Sequence, residues 1–133
     1  MGIDIRYDTH GDGHFGARRS GGRMHQGIDL AADIGTPVYA ARSGRVIISR
    51  IIKDKNTRRG SGNYVVLRHA GNFSTAYAHL SKVYVSENDF VRQGEIIGRV
   101  GKTGNANYKD MLPHLHFEIR INGTPRDPSE YLE

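Results

Sequence analysis

His114-Leu115-His116-Phe117-Glu118-Ile119-Arg120-Ile121 alternates polar and apolar residues without a break. That period of two marks a strand with one face buried and the other turned away from the core. Leu115, Phe117, Ile119 and Ile121 are assigned to the core. His114, His116, Glu118 and Arg120 then share the opposite face, where the two histidines stand side by side over a cleft or solvent.

Outward from this strand the same kind of signal recurs. Residues 64–69 and 73–80 read as strands separated by an Ala70-Gly71-Asn72 turn, and Asn122-Gly123 turns the chain after Ile121. Residues 36–41 and the β-branched run 45–52 flank Ser43-Gly44 and read as a hairpin, while 83–85 and 90–101 hold further short strands punctuated by glycine. Residues 53–62 and 102–113 are polar loops, and no segment carries a sustained helical repeat. Turn signals every 8 to 12 residues predict an all-β chain whose antiparallel sheets form a sandwich or a partly open barrel, with long connecting loops. One domain over residues 1–133 is expected, with residues 1–12 an irregular N-terminal segment.

Composition narrows the chemistry. The chain has no cysteine, so a metal would be held by His, Asp or Glu, and 17 glycines suit a turn-rich β domain. A net charge of +5 gives a basic surface. Arg18-Arg19 and the run 53–59 read as solvated faces, and stacking aromatics are not arranged on one strand face, so no nucleic-acid partner is expected. No apolar run reaches membrane-spanning length, and acids and glycines stand among the first residues where a signal peptide would be apolar.

Met24-His25-Gln26-Gly27-Ile28-Asp29-Leu30 repeats the logic of the last strand. If extended, it puts His25, Gly27 and Asp29 on one side and Ile28 and Leu30 on the other, and a helix would co-locate His25 and Asp29 as well. Catalytic zinc takes three N or O ligands and keeps one position open, a count that histidines and an aspartate from two strands meet. A single histidine is usually a surface or turn residue. The combination of His25-x-x-x-Asp29 with His114-Leu115-His116 is what points to a metal. His79, among small and apolar neighbours, reads equally as a site residue or a core histidine; His69, His10 and His14 read as structural. No GxSxG elbow or phosphate-cradling loop is present.

The chain resembles the lysostaphin-like zinc metallopeptidases, the LytM-domain or M23 family. The resemblance runs through Phe15-Gly16-Ala17-Arg18, His25-Gln26-Gly27-Ile28-Asp29-Leu30, Gly35-Thr36-Pro37-Val38, Tyr77-Ala78-His79-Leu80-Ser81, residues 91–98 and Pro113-His114-Leu115-His116-Phe117-Glu118. It implies one Zn2+ held by His25, Asp29 and His116, with His79 and His114 as general base and oxyanion donors around the water that zinc activates. It also implies a groove over the sheet and short peptidoglycan peptides as substrate, with Arg18 a candidate substrate-binding residue. A tyrosine frequent in lysostaphin-type enzymes is replaced here by Arg18-Arg19-Ser20, and residues 105–113 replace a shorter Ser-Thr-Gly-Pro lead. Both departures bear on specificity. A periplasmic or extracellular, monomeric zinc endopeptidase is expected, reaching the wall as a trimmed chain or by a route such as a phage particle. The alternative within the resemblance is a non-catalytic wall-binding or amidase-activating member.

Overall fold

The structure, a computed structural model, describes residues 7–8, 11–13, 15–16 and 25–128. Eleven strands appear among them: β1 (Tyr7–Asp8), β2 (Gly11–Asp12), β3 (Ile28–Ala31), β4 (Pro37–Tyr39), β5 (Gly44–Arg50), β6 (Asn63–Arg68), β7 (Phe73–Val83), β8 (Phe90–Val91), β9 (Ile96–Val100), β10 (His114–Ile121) and β11 (Thr124–Arg126). The described helical residues form only short 3-10 turns, so no helix among them is long and apolar enough to cross a membrane. The segment read as irregular contains one short antiparallel pair, β1 with β2.

The remaining nine strands make one antiparallel sheet that does not close into a barrel, ordered β11-β10-β7-β6-β5-β8, with β3 on β10 and β4 on β9. The expected all-β antiparallel class is therefore present, in its open form. β10 spans the alternating stretch His114–Ile121 without a shift at either end. Its apolar face packs Phe117 and Ile119 against Tyr77, Ile28, Val65 and Leu67 in one core. Tyr77 and Phe117 rings meet at 5.4 Å, tilted by 55°.

The hairpin expected between 36–41 and 45–52 does not form. β4 pairs instead with β9, Val38 opposite Gly98, while β5 lies between β6 and β8. After β4 the chain crosses the core: the Ala40 N–H donates to Glu95 O at 2.9 Å, Gly94 N–H to Ala40 O at 2.8 Å, and Ala41 N–H to the Tyr77 hydroxyl at 2.9 Å. An apolar run specifies that a segment is extended, but its partner is chosen by distant groups such as these.

β7 changes partners along its length. Residues Phe73 to Ala78 pair with β10, whereas Leu80, Lys82 and Val83 pair with β9. His79 sits at the switch with φ +62, a left-handed conformation uncommon for a residue other than glycine. Its N–H donates to Ser61 O at 2.8 Å, which ties the bend to the loop before β6.

A directed hydrogen-bond chain runs under β5 and β7. His69 Nδ1–H donates to Ser43 O at 2.8 Å, leaving Nε2 to accept from Thr75 Oγ1 at 2.8 Å, and Thr75 is 2.8 Å from the Tyr77 hydroxyl. His69 is thus the structural histidine that its sequence position suggested. Burial pushes His69 down and Tyr77 up, the latter to about 12.

Candidate metal centre

Three strands, with the segment that leads into β3, bring the site together. β3 is hydrogen-bonded along β10, with Asp29 directly opposite His116 and Ala31 opposite His114. On the other side of β10, Ala78 of β7 faces His116 and Ala76 faces Glu118. These small side chains keep the floor of the face low. Gly13 O accepts the Asp29 N–H and Gly16 N–H donates to His25 O, both at 2.8 Å, so the entry segment steadies both residues.

Three donor atoms converge. His116 Nδ1 lies 2.8 Å from Asp29 Oδ1 and 3.0 Å from His25 Nε2, and His25 Nε2 lies 3.2 Å from Asp29 Oδ1. All three residues are largely buried, with Asp29 3% exposed. Atoms that each carry a lone pair pack this closely only around a proton or a cation. The edges are close to the roughly 3.3 Å separation of ligands on a tetrahedral zinc with bonds of 2.0–2.1 Å. Among the described residues this is the group of His, Asp and Glu side chains that could hold a metal ion. The residues present fit zinc by donor type, number and spacing.

The electrostatics favour positive charge there. Burial works against the Asp29 carboxylate, but hydrogen bonds with His116 and His25 outweigh it and hold the carboxyl far below its usual range. Burial likewise opposes charge on His116, yet hydrogen bonds to Asp29 and Glu118 raise it to about 9. Two carboxylates therefore flank one largely buried imidazole.

His79 and His114 complete the cluster, with ring centroids 5.2 Å apart. His79 Nδ1–H donates to Thr103 O at 2.7 Å and His114 Nδ1–H to Leu112 O at 2.8 Å. A carbonyl only accepts, so each ring carries its proton on Nδ1 when neutral and turns Nε2 toward the other donors. His114 Nε2 is 3.7 Å from Asp29 Oδ2. Burial, then the adjacent His114 and His116, push His79 down to about 3, which keeps its Nε2 lone pair open near neutral pH.

The five residues singled out in the sequence, His25, Asp29, His79, His114 and His116, thus lie in one cluster. Arg18, His10 and His14 lie outside the described residues. Sequence reasoning passed over Glu118, although its i+2 spacing from His116 on the polar face was the available signal. It also passed over Gly27, which brings the segment against β10, and the Thr103 and Leu112 carbonyls, which leave no trace in side-chain identity.

Two loops meet beside His79. Asn105 N–H donates to Gly60 O at 2.8 Å, Arg58 Nε–H to Asn107 O at 3.0 Å, and the Arg58 guanidinium lies 5.3 Å from the Tyr108 ring centre. Gly62 and Gly104, both at positive φ, touch closely enough that a Cβ on either would overlap the other loop.

Residues 23–128 match the model of Peptidase family M23. The chain is 47% identical over 106 residues to the DD-carboxypeptidase/endopeptidase Mpg of Neisseria meningitidis serogroup B, covering 80% of this chain and 22% of that protein. It superposes on the antimicrobial peptidase lysostaphin from Staphylococcus simulans with a TM-score of 0.76 at 33% identity, over 98% of this chain and 49% of that one. A zinc containing peptidase from Vibrio cholerae gives a TM-score of 0.72 at 34% identity, over 94% and 37% of the two chains. The chain therefore spans about a fifth of the length of its Neisseria relative.

Proposed function

Because the chain belongs to peptidase family M23, we propose that it is a zinc-dependent endopeptidase that hydrolyses peptide bonds in bacterial peptidoglycan. The observation that carries this reading is the convergence of His25 Nε2, Asp29 Oδ1 and His116 Nδ1 within 2.8–3.2 Å of one another. These three residues would hold one zinc ion. Zinc in such a site supplies Lewis acidity, which polarises a scissile carbonyl and brings the acidity of water toward a pKa of about 7.

The protein's own groups do the rest. His79, kept neutral by burial, offers Nε2 to take the proton of the attacking water. The Thr103 carbonyl fixes the tautomer that leaves that nitrogen open. His114, held through Nδ1–H by the Leu112 carbonyl, presents its Nε2 on the same side, and with a proton on that nitrogen as well, as the imidazolium, it is assigned the hydrogen bond to the oxyanion.

The Neisseria relative's name directs the substrate proposal to cross-link or stem peptides. A wall substrate places the working protein in the periplasm or outside the cell, acting as a monomer, with Arg18 contributing to substrate binding. A non-catalytic wall-binding or amidase-activating role would go with a broken set, and the five residues here are together.

The test is metal analysis of the purified protein followed by digestion of cell walls with defined cross-links, the cut bond read by mass spectrometry. One zinc per chain is expected, with turnover lost in His116→Ala. A chain without zinc, or a fully active His116→Ala variant, would overturn the reading.

A further inference from the structure

Glu118 has no part in the three-residue cluster, yet it is nearly as buried as the ligands, at 8% exposed. Its two carboxylate oxygens face opposite ways. Oε2 accepts from His116 Nε2 at 2.8 Å, while Oε1 accepts from Arg120 Nε at 2.9 Å and Nη2 at 2.6 Å. Arg120 is in turn hydrogen-bonded to Tyr64 on β6. His116, Glu118 and Arg120 occupy alternate positions of β10 and so share one face. The small Ala76 and Ala78 of β7 let side chains from β6 and β10 meet above them.

We propose that Glu118, clamped by Arg120, is a positioning residue that sets the tautomer and ring orientation of His116 as a metal ligand. The inference rests on the zinc site proposed above. A carboxylate only accepts, so His116 keeps a proton on Nε2, and the neutral ring then presents the Nδ1 lone pair to Asp29 and His25. Arg120 occupies the second oxygen and prevents the carboxylate from swinging away. Both oxygens being engaged, Glu118 is itself neither ligand nor base. Without it the Nε2–H is buried and unpaired, and the ring is free to turn or change tautomer.

The test measures zinc affinity by competition with a chromophoric chelator and the visible spectrum of the Co2+-loaded protein, neither of which depends on turnover. Glu118→Gln keeps shape and an acceptor oxygen but loses the charge, and we expect zinc binding about threefold to tenfold weaker. Glu118→Ala should weaken it by about 10–100-fold and alter the Co2+ spectrum. Arg120→Met should fall near Glu118→Gln. If Glu118→Gln binds zinc within twofold of the wild type with an unchanged Co2+ spectrum, the positioning role is wrong, and this variant decides even if Glu118→Ala does not fold. Failure of the zinc site itself shows elsewhere, as a wild type that binds no zinc or an Asp29→Ala variant that binds it equally well.

Discussion

Gly27 lies so close to β10 that a Cβ on it would come within 2.4 Å of the Phe117 carbonyl oxygen, and within 2.8 Å of Glu118 Cγ. The contact is with backbone, which cannot rotate aside. Gly27→Ala must therefore push the His25–Asp29 segment away from the strand carrying His116. A destabilisation of about 1–3 kcal/mol is expected in chemical denaturation, together with weaker zinc binding by chelator competition. A variant as stable as the wild type that binds zinc equally well would show that the two segments are not held at this separation.

His79→Ala separates chemistry from metal binding. His79 belongs to β7 and makes no part of the three-atom cluster, so zinc content should stay at one per chain while kcat falls by about 10²–10⁴-fold. Loss of zinc together with activity would move His79 into the metal site.

The hydroxyl of Tyr77 accepts the Ala41 N–H at 2.9 Å and lies 2.8 Å from Thr75 Oγ1 in the interior. Tyr77→Phe leaves that N–H without its acceptor at little change in volume. A loss of about 1–3 kcal/mol is expected from urea unfolding, with zinc affinity unchanged. A neutral result would mean that the crossing after β4 is held by packing alone.

His69 makes stability depend on pH. Burial lowers its pKa in the fold below the ordinary 6.5, so in the window beneath 6.5 the unfolded chain binds a proton that the folded chain refuses. Its contribution is complete above 6.5 and is lost as pH falls through the folded value. Unfolding free energy should thus drop less between pH 7.5 and pH 5.5 in His69→Gln than in the wild type. Equal slopes would remove His69 as a source of acid sensitivity.

Much of this architecture was legible in the sequence because β10 alternates cleanly, and its two faces can be assigned residue by residue. The same alternation placed His114 beside His116, and the short spacing of His25 and Asp29 co-located them whatever their backbone. Strand pairing was less legible. The runs 36–41 and 45–52 announce extended chain but not neighbours, and β4 goes to β9 because the Ala40 and Ala41 backbone groups are met by the 94–95 turn and by Tyr77. His79 was ambiguous for a related reason: its position depends on a change of partner within β7 and a positive φ, neither of which residue identity encodes. Glu118 was visible as a polar residue on the right face, but its role emerges only once Arg120 is seen holding its far oxygen.

The joined loops at 51–62 and 101–113 bear on how such a domain could be re-engineered. Asn105 and Arg58 each reach across to the other loop, and Gly62 and Gly104 leave no room for a side chain at the seam. Thr103 and Ser61, one from each loop, also hold the ring and the N–H of His79. A graft that exchanged one loop for a foreign one would strand its counterpart and loosen His79 with it. The pair has to travel as a cassette, inherited or transplanted together.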